Sequence, residues 1–462
     1  MSGRYKAYGE YRVVKLNGIE KFPSLWEIKQ VRYLLKDGYE GIKIGPFGSA
    51  LKLDDMVEEG VRVYGQENII NKDFSLGSRN ISFNKYKDMV SYGVSVGDIL
   101  ITLMGTSGKC EIFPYEAKKG IIDSHLLRIR VNKKIIIPRF FKLLIDESPE
   151  IKHQMLIQGK GSIMHGLNSG VIKGLNLPLP TFLEQKLILN FLDHETSKID
   201  TLIEKQQQLI ELLKEKRQAV ISHAVTKGLD PDVPMKDSGV EWLGEVPQTW
   251  EMWKLAHAFE VIGSGTTPSS DNDSWFEGDI PWVTTGELRE TVITHTVKKV
   301  SKLTLERFSA LKIHPVGSVV IAMYGATIGR LGILGVKSTT NQACCVLTFS
   351  RVIDNKYLYY WLGGYKDNII RLSSGGGQPN INQEKVASLK ISSPILKEQT
   401  QIAAFLDHET AKIDKLIDLQ LLQIELLKER RTALISAAVT GKIDVRDWQV
   451  PVTQTESDEV MA

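Results

Sequence analysis

Cysteine is scarce in this chain of 462 residues, which has three, at positions 110, 344 and 345. Three cysteines, two of them adjacent, are too few for a disulfide framework and wrongly spaced for a four-ligand zinc site. Long apolar runs are also missing, since glycines and Arg330 interrupt residues 317–336, the one stretch that approaches a membrane span in length. This stretch is better explained as two buried strands joined by a turn. The polar first 18 residues lack the apolar core of a secretory signal. We therefore expect a cytoplasmic protein without a membrane span.

Neither sign of charge is in large excess. Lys and Arg number 58 and Asp and Glu number 55, so the formal net charge is +3. This balance excludes a uniformly basic coat for nucleic acid but leaves room for local basic faces. With 42% hydrophobic and 24% charged residues, the chain has the composition of a folded protein, long enough for two or three separate cores.

A long segment occurs twice in the chain. The segment that begins EQKLILNFLDHET at residue 184 recurs as EQTQIAAFLDHET from residue 398, and 28 of 45 aligned positions are identical. Such identity over a fixed offset indicates internal duplication. Residues 227–240 contain two prolines and two glycines and are typical of a linker between the two halves.

A more divergent segment precedes each copy of the repeat. Both divergent segments open with Pro-x-x-Trp-Glu, at residues 23–27 and 247–251. Both contain an apolar run between glycines, at residues 97–105 and 317–325, and a basic residue, Lys109 or Arg330, follows the turn after the run. Both end in an apolar stretch that leads through proline into the Glu-Gln of the repeat. The plan is therefore divergent unit, helix, divergent unit, helix.

The repeated segments have the spacing of a coiled-coil seam, with apolar residues at alternating steps of three and four. The predicted seam residues are Ile199, Leu202, Leu209, Leu213 and Val220 in the first copy, and Ile413, Leu416, Leu427 and Leu434 in the second. Leu212, Ile210, Leu426 and Ile424 lie beside this seam and widen the apolar surface, which favours a second, intermolecular partner. The alternative is a stripe that packs only against its own domain. Two such helices packed antiparallel would offer the same docking surface twice.

These features together resemble the specificity subunit of type I restriction-modification systems. The resemblance rests on the twin repeats, each with Glu-Gln near its start and Phe-Leu-Asp-His-Glu-Thr at 191–196 and 405–410, and on the divergent segment before each. Gly-Ser-Gly-Thr-Thr-Pro at 263–268 and Pro-Trp-Val-Thr-Thr at 281–285 add to it. The order and duplication of these motifs cover nearly the whole chain.

The resemblance implies an α+β fold in which two globular mixed α/β target recognition domains are separated by two long α-helices packed as an antiparallel coiled coil. The domains would occupy residues 1–180 and 229–394, the helical spacers 181–228 and 395–445, and a polar tail 446–462. It further implies that each domain reads one half of a split target in double-stranded DNA. Two modification (methyltransferase) subunits would dock on the helices, and restriction (translocase and endonuclease) subunits would join them.

The resemblance also implies a chain that is not itself an enzyme. S-adenosylmethionine, ATP and Mg²⁺ are then expected in the partner subunits, and no cofactor or metal is expected on this chain. The residues agree, because no two prolines are adjacent and an Asp/Asn-Pro-Pro-aromatic methyltransferase motif is therefore impossible. A Gly-x4-Gly-Lys-Ser/Thr phosphate loop is absent as well. Two alternatives remain open, a self-sufficient DNA methyltransferase or nuclease and a coiled-coil scaffold that does not bind DNA.

Side chains that match base edges or phosphates lie near glycines in both divergent units. In the first unit the candidate DNA-binding residues are Lys43, Ser49, Lys52, Tyr64, Gln66, Asn68, Ser107 and Lys109. In the second they are Ser264, Thr266, Thr267, Thr284, Thr285, Tyr324, Arg330, Asn341, Gln342, Gln378, Asn380 and Asn382. For any one of them, a role in a turn or helix cap is the alternative.

The helical repeat also predicts a spacing on DNA. A continuous helix from about residue 195 to 226 rises about 48 Å at 1.5 Å per residue, which corresponds to about 14 base pairs at 3.4 Å each. We therefore expect a bipartite target with an unread spacer of several base pairs.

Overall fold

The contacts within the chain divide it into two compact units. The computed structural model describes residues 5–16, 19–37, 40–159, 167–269, 272–372 and 380–450. Unit 1 consists of Met1–Lys205 and Gln423–Ala462, and unit 2 consists of Gln206–Leu422. Each unit thus contains one divergent segment, the first part of one long helix and the last part of the other. The boundaries predicted for the recognition domains and the helical spacers remain predictions.

Unit 1 is a mixed α/β unit whose described residues form two four-stranded sheets and two two-stranded sheets. Its strands are β1 (Tyr11–Leu16), β2 (Ile19–Pro23), β3 (Glu27–Gln30), β4 (Ile42–Ile44), β5 (Met56–Val57), β6 (Val61–Tyr64), β7 (Asn80–Ile81), β8 (Ile99–Thr102), β9 (Cys110–Ile112), β10 (Gly120–Ile122), β11 (Leu126–Ile129) and β12 (Asn176–Leu179). Its shorter helices are α1 (Gln66–Ile70), α2 (Phe83–Asp88), α3 (Pro138–Glu147), α4 (Pro149–Gly159) and α5 (Ser169–Gly174). The larger sheets have the orders β10-β6-β7-β5 and β4-β11-β8-β9, and β6 runs parallel to β10.

In the part of unit 2 that the structure describes, the strands form a five-stranded sheet, a three-stranded sheet and two two-stranded sheets. Its strands are β13 (Met235–Asp237), β14 (Glu245–Pro247), β15 (Glu251–Lys254), β16 (Phe259–Ser264), β17 (Ile280–Val283), β18 (Thr291–Ile293), β19 (Lys298–Val300), β20 (Val319–Ala322), β21 (Leu331–Leu334), β22 (Thr339–Thr340), β23 (Cys344–Ser350) and β24 (Lys390–Ser393). Its shorter helices are α7 (Leu255–Ala258), α8 (Lys302–Arg307), α9 (Asn355–Gly364), α10 (Lys366–Arg371) and α11 (Gln383–Ser388). The larger sheets have the orders β16-β23-β20-β21-β18 and β19-β17-β22.

The long helices are α6 (Phe182–Lys227), with 46 residues, and α12 (Leu396–Val439), with 44. Helix α6 begins well before residue 195, directly after Thr181, whose hydroxyl accepts a hydrogen bond from the Glu184 amide at 3.3 Å. The buried side chains of both long helices belong to the cores of the units. Ile188, Phe191 and Leu434 belong to the core of unit 1, and Ile221 and Ile402 belong to that of unit 2.

The Pro-x-x-Trp-Glu motif and the Glu-Gln of the repeat meet in each unit. The Trp26 indole donates to Glu184 Oε1 at 3.0 Å in unit 1, and the Trp250 indole donates to Glu398 Oε1 at 3.1 Å in unit 2. The strand that follows each tryptophan, β3 or β15, pairs with the apolar strand that precedes each long helix, β12 or β24. The repeated sequence motifs therefore hold the start of each long helix to its unit.

The glutamine after each of these glutamates is fully buried and makes three hydrogen bonds. In unit 1, Gln185 accepts from the Ile137 amide at 2.9 Å and donates to the carbonyls of Ile135 and Pro180 at 3.0 and 3.1 Å. In unit 2, Gln399 makes the equivalent bonds with the Asp354 amide and the carbonyls of Val352 and Pro394. A buried backbone group without a partner is costly, so the three bonds of this glutamine stabilise the backbone beside the start of each long helix.

The predicted seam is wrong at three positions. Leu202, Leu209 and Leu416 are 45%, 40% and 44% exposed, whereas Ile210 and Ile424 are buried. The buried or half-buried positions of α6 follow the steps 199, 203, 206, 210 and 213, and those of α12 follow 413, 417, 420, 424 and 427. Residues 202 and 203 are both apolar, and so are residues 209 and 210. The spacing of apolar residues alone therefore does not show which residue of each pair is buried.

The other predicted seam residues face the interior. Ile199, Ile413 and Leu434 are buried, and Leu213, Val220 and Leu427 are half-buried. Of the residues predicted to lie beside the seam, Leu212 and Leu426 occupy equivalent places in the two repeats and are 61% and 55% exposed. Each long helix therefore carries exposed leucines at matching positions.

Both ends of the described chain pack into unit 1. The Asp444 amide donates to the Lys6 carbonyl at 2.8 Å, and the Tyr11 hydroxyl donates to the Gly441 carbonyl at 3.0 Å. The Trp448 ring lies edge-on to Phe191 with ring centres 5.3 Å apart. The segment after α12 thus completes the same core that the first strands begin.

The apolar stretch at residues 317–336 forms two buried antiparallel strands, β20 and β21, joined by a turn, as predicted. Among the described helices, none is long and apolar enough to cross a membrane. Cys110, Cys344 and Cys345 are buried and free.

Candidate nucleic-acid interface

One end of unit 2 brings together loops from several strands. Gly265, which follows β16, donates from its amide to the Thr340 hydroxyl at 3.2 Å. A Cβ atom at Gly265 would lie 1.7 Å from the Thr340 carbonyl oxygen, so only glycine allows this approach. The Thr267 hydroxyl donates to the Gln342 side-chain oxygen. Residues 264–267 and 340–342 therefore lie side by side.

The turn between β20 and β21 lies against the same loops. The Met323 amide donates to the Ala343 carbonyl at 2.8 Å, and the Ile381 amide donates to the Met323 carbonyl at 2.9 Å. Tyr324 and Asn380 form an isolated β-bridge. The Asn341 amide donates to the Val283 carbonyl at 2.9 Å, which adds the loop after β17. We call residues 264–269, 284–287, 323–330, 340–343 and 380–382 the recognition end of unit 2.

Unit 1 repeats this arrangement. A Cβ atom at Gly45, which follows β4, would lie 1.7 Å from the Asp123 carbonyl oxygen. The Leu103 amide donates to the His125 carbonyl at 2.9 Å, and the Leu167 amide donates to the Leu103 carbonyl at 3.1 Å. The two bonds match those of Met323 and Ile381 in unit 2, and the close approach of Gly45 to a carbonyl oxygen matches that of Gly265. We call residues 45–52, 65–68, 103–109, 123–125 and 167–168 the recognition end of unit 1.

The central turns of the two recognition ends share their backbone conformation. Gly105 and Gly325 have φ of 63° and 64°, and Gly108 and Gly329 have φ of 83° and 75°. Glycine adopts this left-handed region without the strain that a side chain adds. An exposed basic residue, Lys109 or Arg330, follows each turn. Two sequences with little identity here therefore build the same turn.

Two regions of the chain, residues 55–212 and 247–426, match the family model described as the type I restriction modification DNA specificity domain. The two matches cover well over half of the chain. The chain belongs to this specificity family. Each match includes one recognition end in large part, so the duplicated fold corresponds to two DNA specificity domains, and the resemblance drawn from the sequence is confirmed.

Relatives of this specificity protein align along most of its length. It is 27% identical over 442 residues to a Methanocaldococcus jannaschii protein provisionally named the MjaX specificity subunit of a type I restriction enzyme, covering 94% of this chain and 97% of the relative. It is 26% identical over 375 residues to the MjaVIII specificity subunit of the same organism, covering 77% and 81%.

Solved structures share the fold at low sequence identity. A chain from a structural study of complex assembly and conformational transition of the type I R-M system matches with a TM-score of 0.65 and 15% identity, over 92% of this chain and 100% of that chain. The HsdS subunit from Thermoanaerobacter tengcongensis matches with a TM-score of 0.54 and 15% identity, over 94% and 100%. At this identity the likeness establishes the fold alone.

The second specificity domain places most of its predicted DNA-binding residues at its recognition end. The exposed ones are Thr267, Tyr324, Arg330, Gln342 and Asn380, and the half-buried ones are Ser264, Thr266, Thr284, Thr285 and Asn341. Asn382 has a structural role, because its side-chain oxygen accepts the Lys385 amide at 2.8 Å and caps α11. Gln378 lies outside the described residues.

The first specificity domain exposes fewer of its candidates. Lys52, Ser107 and Lys109 are exposed, and the Lys109 ammonium lies 3.3 Å from the buried Asp146 carboxylate. Lys43 is half-buried, with Nζ 4.7 Å from the centre of the Tyr92 ring. Gln66 is half-buried at the start of α1. The backbone of Ser49 lies in a short 3-10 turn, and its side chain is outside the described part of the chain.

Tyr64 and Asn68 have structural roles instead of the predicted contacts with DNA. Both side chains are fully buried. The Tyr64 hydroxyl donates to the Lys118 carbonyl at 2.6 Å, and burial raises the pKa of this phenol. The Asn68 side chain accepts the Gly65 amide at 3.0 Å and donates to two backbone carbonyls. Their polar groups are used within the domain, so we do not include them in the interface.

Sequence reasoning missed an ionic network beside the recognition end of unit 1. The Arg79 guanidinium lies 3.0 Å from both the Glu67 and the Asp123 carboxylates. Burial lowers the pKa of Arg79, but the bonds with Asp123 and Glu67 outweigh this effect and keep the guanidinium charged. The three residues are separated by 12 and 44 positions in the sequence, and the comparison of the two divergent segments gave no signal for them. Within the local sequence, the network is indicated just by the position of Arg79 directly before the short strand β7.

Proposed function

We propose that this chain is the DNA-reading subunit of a type I restriction-modification complex. In this proposal each specificity domain reads one half of a bipartite double-stranded target. The observation that carries the proposal is the duplication of the recognition end. Two loop clusters share glycine positions and backbone contacts, while the exposed side chains on them differ. A common backbone scaffold that carries different exposed side chains would allow the two specificity domains to recognise two different DNA sequences.

In the same proposal α6 and α12 form an antiparallel coiled coil with pseudo-twofold symmetry. Equivalent ion pairs within the separate units support this arrangement. In unit 1 the Arg431 guanidinium lies 2.8 Å from Asp200, and in unit 2 the Arg217 guanidinium lies 2.8 Å from Asp414. Asp200 and Asp414 occupy the same position of the repeat, as do Arg217 and Arg431. Each pair joins an early position of one repeat to a late position of the other, as antiparallel packing requires.

Two modification subunits would dock on this helical pair, one on each repeat, and restriction subunits would join the complex. The exposed leucines at equivalent positions, Leu202 with Leu416 and Leu212 with Leu426, support two similar docking surfaces. We further propose that this chain catalyses nothing and binds no cofactor, and that S-adenosylmethionine, ATP and Mg²⁺ bind to the partner subunits. The scaffold and the self-sufficient enzyme have no comparable support, because the family match covers both domains with a DNA specificity function.

Exchange of one domain is expected to change one half of the target. Residues 20–180 would be replaced by the equivalent segment of another family member, and methylated adenines would be mapped in cells that also carry the modification subunit. Because each recognition end is built within one unit, we expect one half-site to change and the other to persist. A continuous target, or a change of both half-sites, would contradict the two-reader proposal.

Binding to DNA should also depend on salt and on sequence. The assembled complex would be titrated with the mapped duplex and with a scrambled duplex across a salt series. We expect both affinities to fall as salt rises, because counterions leave the phosphates on binding, while the preference for the mapped duplex remains at about 1,000-fold or more. Equal affinity for the two duplexes at every salt concentration would favour the scaffold alternative.

A further inference from the structure

The long helices expose different side chains at positions that the repeat makes equivalent. In unit 2, the two helices carry five leucines that are 40% to 61% exposed and that we call the leucine surface of unit 2: Leu209, Leu212, Leu416, Leu419 and Leu422. With the repeats aligned from residues 184 and 398, their counterparts are Gln423, Leu426, Leu202, Lys205 and Gln208. The counterparts are exposed as well. Three of the five leucines therefore have a polar counterpart in the other repeat.

The spacing of these leucines places them along one side of each helix. The three on α12 follow one another at steps of three residues, and so do the two on α6. The Arg217 guanidinium lies 2.8 Å from the Asp414 carboxylate and joins the two helices within unit 2. In the antiparallel packing proposed above, Leu212 and Leu419, each five positions from this contact, lie at the same level. The leucines of the two helices are thus suited to contact one partner.

A subunit that docks on both repeats would meet two unequal surfaces. Leu212 and Leu416 have leucine counterparts, so both surfaces offer these two contacts. The other three leucines are continuous with them and add apolar area that a docked subunit removes from water. At the counterpart of Leu419, the ammonium of Lys205 would have to lose water or be kept at the rim of the contact.

We propose that the two docking sites for the modification subunit differ in affinity, and that the leucine surface of unit 2 binds its copy more tightly. The inference rests on the proposed function and adds an order of assembly to it. When the modification subunit is scarce, a chain carries one copy, at unit 2. The second copy joins only at a higher concentration.

The test measures the two sites one at a time in the full chain. Leu426→Asp blocks the site of unit 1, and Leu212→Asp blocks that of unit 2. The modification subunit is titrated into each variant, and the one-to-one complex is followed by native mass spectrometry. We expect the Leu426→Asp chain to bind its remaining copy at least about 10-fold more tightly than the Leu212→Asp chain, because three more leucines are buried at unit 2. Equal affinities, or tighter binding by the Leu212→Asp chain, overturn the proposal.

Exchange of side chains between the repeats supplies the matched control. Leu209→Gln, Leu419→Lys and Leu422→Gln, added to Leu426→Asp, give unit 2 the side chains of the other repeat. The affinity of this chain is expected to fall to that of the Leu212→Asp chain. Each position is exposed and each new residue is a good helix former, so the fold is expected to persist, as circular dichroism would verify. An unchanged affinity after the exchange also contradicts the proposal.

A second copy of this chain is the alternative occupant of the leucine surface. Sedimentation of the wild-type chain alone separates the two cases, and we expect a monomer. A dimer that Leu209→Gln, Leu419→Lys and Leu422→Gln together abolish would assign the surface to self-association and overturn the proposal. Failure of the wild-type chain to bind any modification subunit would instead overturn the proposed function.

Discussion

Replacement of Gln185 by alanine is expected to lower the free energy of unfolding of unit 1 by about 3 to 5 kcal/mol. The substitution removes three hydrogen bonds at a fully buried site and leaves the Ile137 amide and the carbonyls of Ile135 and Pro180 without their partner. Gln399→Ala should have an effect of similar size on unit 2, because the same three bonds recur there. Urea unfolding followed by circular dichroism measures both changes.

Lys186→Ala is the matched control for this prediction. Lys186 follows Gln185 in α6 and is exposed, with Nζ 5.2 Å from the centre of the Phe182 ring, so its truncation should lower stability by no more than about 1 kcal/mol. Gln185→Glu adds a second check, because a carboxylate keeps the acceptor but cannot donate to the two carbonyls. A loss below about 1 kcal/mol in Gln185→Ala would show that water replaces the side chain, contrary to the role we assign to this glutamine.

Leu212→Asp and Leu426→Asp are each expected to remove one modification subunit from the complex, and the double variant should remove both. The two leucines are 61% and 55% exposed at the same position of the repeat, so neither substitution disturbs the core of a unit. Burial of an unpaired carboxylate under a docked subunit, together with loss of the leucine contact, should weaken binding at least about 100-fold. Native mass spectrometry of the assembled complex counts the subunits directly.

Leu303→Asp is the control for the docking prediction. Leu303 is 58% exposed on α8, away from the long helices in sequence, and its change should leave both modification subunits bound. Unchanged stoichiometry in the Leu212→Asp, Leu426→Asp double variant would place the docking surface elsewhere on the chain. Loss of both subunits in either single variant would show that the two sites are not independent.

The order of divergent units and long helices could be predicted because the internal duplication is visible in the sequence. The repeated Trp-Glu and Glu-Gln motifs mark residues that contact each other, and the strands next to them, β3 and β12, pair as their apolar sequences suggest. The apolar run at 317–336 was also predictable, because glycine and arginine in its middle favour a turn over a span. In these places local sequence and tertiary packing agree.

The details that failed depend on contacts between residues distant in sequence. Leu202 and Ile203 are both strongly apolar, and packing within the folded unit, not spacing, leaves Ile203 half-buried and Leu202 exposed. Tyr64 and Asn68 have the chemistry of base readers, but their place at the end of β6 turns them inward. The ionic network of Arg79 forms only when the fold brings Glu67 and Asp123, 12 and 44 positions away, beside it.

The packing of the first and last described residues into unit 1 has a consequence for synthesis on the ribosome. All residues of unit 2 have been translated once Leu422 is added, whereas the core of unit 1 also requires Leu434, Val439 and Val445. Domains fold as units while the nascent chain emerges. The second unit in sequence is therefore expected to fold first, and the core of unit 1 is expected to stay incomplete until Val445 has been translated.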